Sequence, residues 1–131
     1  MKITKFEDIL AWQKARVLVR ELYAVSKSGG FAKDFELRNQ ITRAGGSIMH
    51  NIAEGFDSGS RTEFKRFLRY AQRSASEVKS ELYLALDQHY ITQTQFESLY
   101  EAATEVHRLI GGFIKSLLTK PSVKASESPA H

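Results

Sequence analysis

Apolar residues recur every three or four positions along most of this chain, and nowhere in convincing strict alternation. That rhythm is helical, because positions i, i+3, i+4 and i+7 share one face of a 3.6-residue turn. Four segments carry it. In the first, from about Ile9 to Lys27, Trp12, Ala15, Val19, Leu22 and Val25 make one apolar side. Asp8 stands where an N-cap would, and Gly29-Gly30 marks the end. The second runs from about Phe35 to Glu54, with Asp34 as cap and Leu37, Ile41, Ala44, Ile48 and Ile52 as its stripe. Gly55 suits a left-handed position just past its end. The third opens on the capping-box pattern Ser60-Arg61-Thr62-Glu63. Phe64, Phe67, Leu68, Ala71, Ala75, Val78, Leu82 and Ala85 then keep the rhythm to about Gln88, a helix roughly 40 Å long. The fourth runs from about Gln93 to Leu118 behind a second capping box, Thr92 and Gln95. Phe96, Leu99, Ala103, Val106, Leu109, Phe113 and Leu117 face inward. Gly111-Gly112 inside it costs about 2 kcal/mol against alanine, which points to a kink, a frayed end or a close helix contact.

Both prolines, Pro121 and Pro129, lie beyond these segments, so residues 1–120 hold no obligate helix breaker. The expected fold is all-α, an antiparallel up-down-up-down four-helix bundle over residues 1–119. Residues 120–131 have almost nothing apolar to bury, and disorder is expected there.

Composition narrows the function classes. A chain of 131 residues with 42% hydrophobic and 26% charged residues is ordinary for one domain. It has no cysteine, which removes disulfides, thiol catalysis and iron–sulfur clusters and fits a cytoplasmic setting. No apolar run approaches the ~20 residues of a membrane helix, and the N-terminus lacks the apolar core of a signal peptide. The net charge of +4 leans mildly toward polyanionic partners.

A second stripe on the second helix is polar: Gln40, Arg43, Ser47, Asn51 and Glu54. Ser74, Glu77 and Glu81 repeat the spacing on the third helix, so Arg43 can meet Glu77 or Glu81 across an interface. A hydrogen-bonded network that fixes helix register is the expectation; a ligand or metal site inside the bundle is the alternative. Metal is disfavoured by spacing. Di-iron bundles use Glu-x-x-His pairs, and no Glu here precedes a His by three. Nucleotide-binding and hydrolase motifs are also missing, so the expectation is a protein with no catalytic residue, no cofactor and no metal.

The third helix offers the better lead. Arg61, Lys65, Arg69 and Arg73 are spaced by four, with Arg66 beside them, and only Glu63 interrupts the positive stretch. Five cations in about three and a half turns repel one another, and such a strip can track a phosphate backbone. Tyr70 and Gln72 lie close enough to add stacking or hydrogen bonds. The plainer readings are a solvated face with local ion pairs, or a surface for an acidic protein.

The run from Gln40 to Gly55, Gln-Ile-Thr-Arg-Ala-Gly-Gly-Ser-Ile-Met-His-Asn-Ile-Ala-Glu-Gly, resembles the signature of a bacterial four-helix bundle family. That family was first associated with intervening sequences in 23S ribosomal RNA genes. Arg61-Thr62-Glu63-Phe64, Phe67-Leu68, Ala71, Ser74-Ala75 and Glu77 extend the likeness, as do Phe6, Ile9, Trp12 and Ala15, over about residues 6–118. Gly46 and Met49-His50 depart from it. The resemblance implies a left-handed four-helix bundle that assembles as a homopentamer. A related group, the accessory variability determinants of diversity-generating retroelements, implies binding to nucleic acid, RNA or DNA, and to a reverse transcriptase. Arg61, Lys65, Arg66, Arg69 and Arg73 are the residues here that match its basic surface, while Asn51 and Glu54 read as structural. Five such chains would carry a charge of about +20, and repeated strips would bind with avidity.

Overall fold

A computed structural model describes residues 2–119, and within them every regular element is helical. A 3-10 turn at Phe6–Asp8 leads into α1 (Leu10–Ser26). A short α2 (Gly29–Lys33) follows, then α3 (Phe35–Asp57), α4 (Arg61–Asp87) and α5 (Gln93–Thr119). The expected tail, residues 120–131, lies outside the described residues.

The four long helices surround one core. Every expected α3 position, Leu37, Ile41, Ala44, Ile48 and Ile52, is buried, and so are all those of α4 except the half-buried Phe67. On α1 the buried line is Ala11, Ala15, Leu18 and Leu22, rotated from the expected one, so Trp12, Val19 and Val25 sit at its margins. The C-terminal half of α5 rotates likewise: Ile110 and Ile114 are buried, while Leu109, Phe113 and Leu117 flank them.

α3 and α4 form the most extensive interface, and α4 also packs along α5. Ser47 meets Ser74, and Gly55 meets Phe67, so partners rise on α3 as they fall on α4. The same holds between α4 and α5, where Tyr83 meets Phe96 and Phe64 meets Phe113.

Three end signals resolve differently from their sequence pattern. Asp8 does not cap α1, whose N-cap is Ile9 with no side-chain bond. Its Oδ2 instead accepts from the backbone N–H of Thr4 at 3.0 Å and of Lys5 at 3.3 Å, closing the 3-10 turn one element earlier. Those bonds, Thr4 foremost, hold its carboxyl below the usual range. Gly29-Gly30 does not simply end a helix but opens α2, with Gly29 at a φ of +61°. Gly55 is inside α3 and buried. A Cβ there would lie 2.8 Å from Phe67 Cβ, so its lack of a side chain lets α4 approach. The left-handed turn is made by Gly59, at a φ of +75°.

Other signals hold. Asp34 Oδ1 accepts from Leu37 N at 3.1 Å, and Ser60 Oγ from Glu63 N at 3.2 Å. Thr92 and Gln95 make both bonds of a capping box, at 3.1 and 2.9 Å. Asp34 has a second task. Its Oδ2 accepts from the Tyr90 hydroxyl at 2.9 Å, and Tyr90 stacks on the buried Phe31 of α2 at 5.2 Å. α5 continues unbroken through Gly111 and Gly112, and a Cβ on Gly111 would come within 2.9 Å of Gln72 Nε2 on α4. The glycine thus serves a close contact within the chain.

Candidate nucleic-acid interface

α4 is flanked by α3 on one side and α5 on the other, so only its outward strip meets solvent. The five cations of the sequence strip fall into three groups along it.

Arg61 is committed. Its Nη1 donates to the carbonyl of Leu117 at 2.6 Å, tying the start of α4 to the last turns of α5. A free carbonyl near a helix C-terminus carries partial negative charge and suits a guanidinium.

Arg66 is partly committed. Nη2 reaches Glu63 Oε1 at 2.6 Å, and Nη1 donates to the Tyr70 hydroxyl at 2.8 Å. These two bonds, Glu63 first, raise its pKa further above the arginine norm. The Glu63 side chain therefore serves Arg66 rather than completing the capping box. The signal for this was the Glu–Arg spacing of three, which places the two on one helix surface.

Lys65, Arg69 and Arg73 make no hydrogen bond or ion pair among the described residues. Arg69 and Arg73 are exposed and Lys65 is half-buried. Arg73 lies over the Tyr70 ring at 5.2 Å, and Arg66 at 5.5 Å. Phe67 meets the edge of the same ring at 5.8 Å. Gln72 is turned away from this group and donates to the carbonyl of His107 at 3.3 Å. The outward face of α4 therefore presents a braced aromatic ring between cations, three of which have neither a hydrogen bond nor an ion pair among the described residues.

The polar stripes behave differently. Ser74 Oγ donates to Ser47 Oγ at 2.9 Å, and Asn51 Nδ2 donates to the Ser47 carbonyl at 2.8 Å and to Ser47 Oγ at 3.0 Å. These three form one small network at the α3–α4 seam. Gln40, Arg43, Glu54 and Glu77 are exposed, and among the described residues no ion pair joins Arg43 to Glu77 or Glu81. The long register-fixing network expected from spacing is therefore reduced to Ser47, Asn51 and Ser74. Glu54 lies 3.9 Å from His50 on its own helix. Glu81 is 7% exposed, and its Oε1 has no hydrogen-bond partner. Burial, then the charge of Glu77, pushes its pKa up to about 7. No group of three or more His, Asp or Glu side chains among the described residues converges to hold a metal ion. No described helix is long and apolar enough to cross a membrane.

Residues 7–112 match the sequence profile described as 23S rRNA-intervening sequence protein. The chain belongs to that family. It is also similar to a crystal structure from Bacteroides thetaiotaomicron, described as a protein with unknown function from the S23 ribosomal protein family. The two are 30% identical, with a TM-score of 0.74 over 81% of this chain and 99% of the other. No curated protein matches. Family membership accounts for the helical bundle and leaves the activity to the chemistry of the surface.

Proposed function

We propose that this protein is a non-enzymatic, oligomeric four-helix bundle that binds RNA or DNA through the outward face of α4, with little sequence preference. The observation that carries the reading is that Lys65, Arg69 and Arg73 face outward in one strip with no counter-ion among the described residues. Uncompensated cations on a folded surface repel one another, and phosphates relieve that repulsion while releasing condensed counter-ions. No base-edge reading is expected, because phosphate contacts position a strand without specifying its sequence.

In this reading the bundle is left-handed with up-down-up-down topology, and it assembles as a homopentamer. Supporting self-association, Leu10 and Val17 of α1 are about half exposed and lie one heptad apart on one helix face. Beside Leu10, an apolar groove is lined by Ile9, Leu109, Gly112 and Phe113. Repetition of the basic strip around an axis would add avidity.

The deciding experiment is a titration of labelled structured RNA and labelled DNA duplex at 50 and 200 mM salt. It compares the wild type with the Arg66→Glu, Arg69→Glu, Arg73→Glu variant. Wild-type binding is expected to fall steeply between the two salts, since each neutralised phosphate contributes about 0.9 to the logarithmic slope on duplex DNA. The variant is expected to keep its helical spectrum and lose binding. Unchanged affinity in that variant discards the site.

A second reading, a scaffold for another protein such as a reverse transcriptase, draws on the exposed Phe35 and Leu84. Phe35 opens α3, and Leu84 lies near the α3 start, beside Glu36 and Leu37. A partner retained through nuclease treatment and high salt favours it.

A further inference from the structure

Tyr70 is held as a platform, not as a mobile surface tyrosine. Its hydroxyl accepts from Arg66 at 2.8 Å, Arg66 is anchored in turn on Glu63 at 2.6 Å, and Phe67 supports the ring edge at 5.8 Å. One neighbour of the ring is held far less firmly. Arg73 touches the ring at 5.2 Å but makes no hydrogen bond or ion pair among the described residues. An exposed guanidinium–ring contact is weak, and a nucleobase stacks on such a ring more strongly. A base that takes the ring releases Arg73 to the ring's edge, where the phosphate of the same nucleotide would lie. Arg69, one turn away, reaches the next phosphate.

The setting of α4 decides between strand types. A helix with its side chains is roughly 10–12 Å across, which fits a major groove only when the helix stands clear of the protein. α4 is walled by α3 and α5 along its length, and its first turn is tied to Leu117 through Arg61. It cannot enter a groove. A duplex also stacks its own bases, so it offers no base face to Tyr70. A single strand bends over a convex surface and presents both faces of a base.

We propose that the outward face of α4 selects unpaired nucleotides over duplex, with Tyr70 as the stacking surface and Arg69 and Arg73 as phosphate contacts. This rests on the nucleic-acid reading above and goes beyond it in naming the strand type and the aromatic residue.

The test uses the full chain at 50 mM salt with four labelled probes: an unstructured 20-nucleotide RNA, the DNA of the same sequence, and the duplex of each. Both single strands are expected to bind about tenfold tighter than their duplexes. Tyr70→Ala should weaken single-strand binding about tenfold and leave duplex binding within about twofold, while Tyr70→Phe keeps the preference. A strand carrying 2-aminopurine should change its fluorescence on binding to wild type and to Tyr70→Phe, but not to Tyr70→Ala. The ratio of the RNA and DNA single-strand affinities says which sugar the site prefers; either result is consistent with the stacking mechanism. Equal affinity for strand and duplex, or equal weakening of both by Tyr70→Ala, overturns the selectivity and leaves nucleic-acid binding standing. No binding of any probe removes both readings. Polyglutamate binding as tightly as the strands, and unmoved by Tyr70→Ala, assigns the face to an acidic protein instead.

Discussion

The inward and outward sides of α4 are built on opposite rules. Inward, against α3, the chain minimises side chains: Gly55 admits Phe67, Ser74 reaches Ser47, and Ala71 and Ala75 are fully buried. Close approach there makes each atom costly to change. Outward, long cationic side chains extend into solvent, and among the described residues only Arg66 has a counter-ion. Substitutions on that side should alter what the protein binds and hardly alter whether it folds. On the proposed reading, one helix separates stability from recognition by face, and each prediction below tests that division.

The largest effect is expected from Gly55→Val, which forces a branched side chain against Phe67 and Phe64. A loss of about 3 kcal/mol in chemical denaturation is expected, with strand affinity unchanged wherever the variant is folded. A next, smaller effect belongs to Glu81→Gln. The Glu81 carboxyl is raised from 4.5 to about 7 by burial and by Glu77. Its neutral form is the one its buried site tolerates. The stability it contributes is complete below about pH 4.5 and is lost as pH rises through about 7. Glu81→Gln should match wild type near pH 4 and exceed it by about 2 kcal/mol at pH 8. A constant difference across that range contradicts the assignment.

Arg61→Ala separates two arginines that the sequence strip treats alike. Loss of the bond to Leu117 is expected to cost about 1 kcal/mol of stability, with strand affinity within twofold of wild type. Arg73→Ala should do the reverse. Ser74→Ala is the mildest test, at about 0.5–1 kcal/mol, because Ser47 keeps its bonds from Asn51.

Much of this was legible in the residue pattern, and the misses have physical reasons. The α3 stripe is legible because Leu37, Ile41, Ile48 and Ile52, with Ala44 between them, leave one face to bury. On α1 the spacing places Ala15 and Leu22 in the core, but Trp12, Val19 and Val25 are marginal while the smaller Ala11 and Ser26 are buried, because a short side chain gives a weak apolar signal. α2 was invisible because Gly29-Gly30 reads as a break, yet a positive φ at Gly29 begins a new turn. The basic strip was legible as a row of charges. Its division into a tie, a brace and uncommitted cations was not, because the Arg61 partner is a backbone carbonyl 56 residues away. Glu81 was placed in a network by spacing alone, and spacing does not report whether a partner's reach ends in solvent.

Asp34 joins residues 56 apart through Tyr90, the same separation that Arg61 spans to Leu117. The chain entropy lost in closing either loop is therefore equal, since it depends on loop length. What differs is the local reward. At Asp34 a helix cap, a hydroxyl bond and a stacked ring pair form together, whereas near Leu117 the side-chain bond to backbone joins the edge-to-face Phe64–Phe113 pair without capping a helix start. Folding should accordingly zip from the Asp34 end, and hydrogen exchange should begin at the final turns of α5.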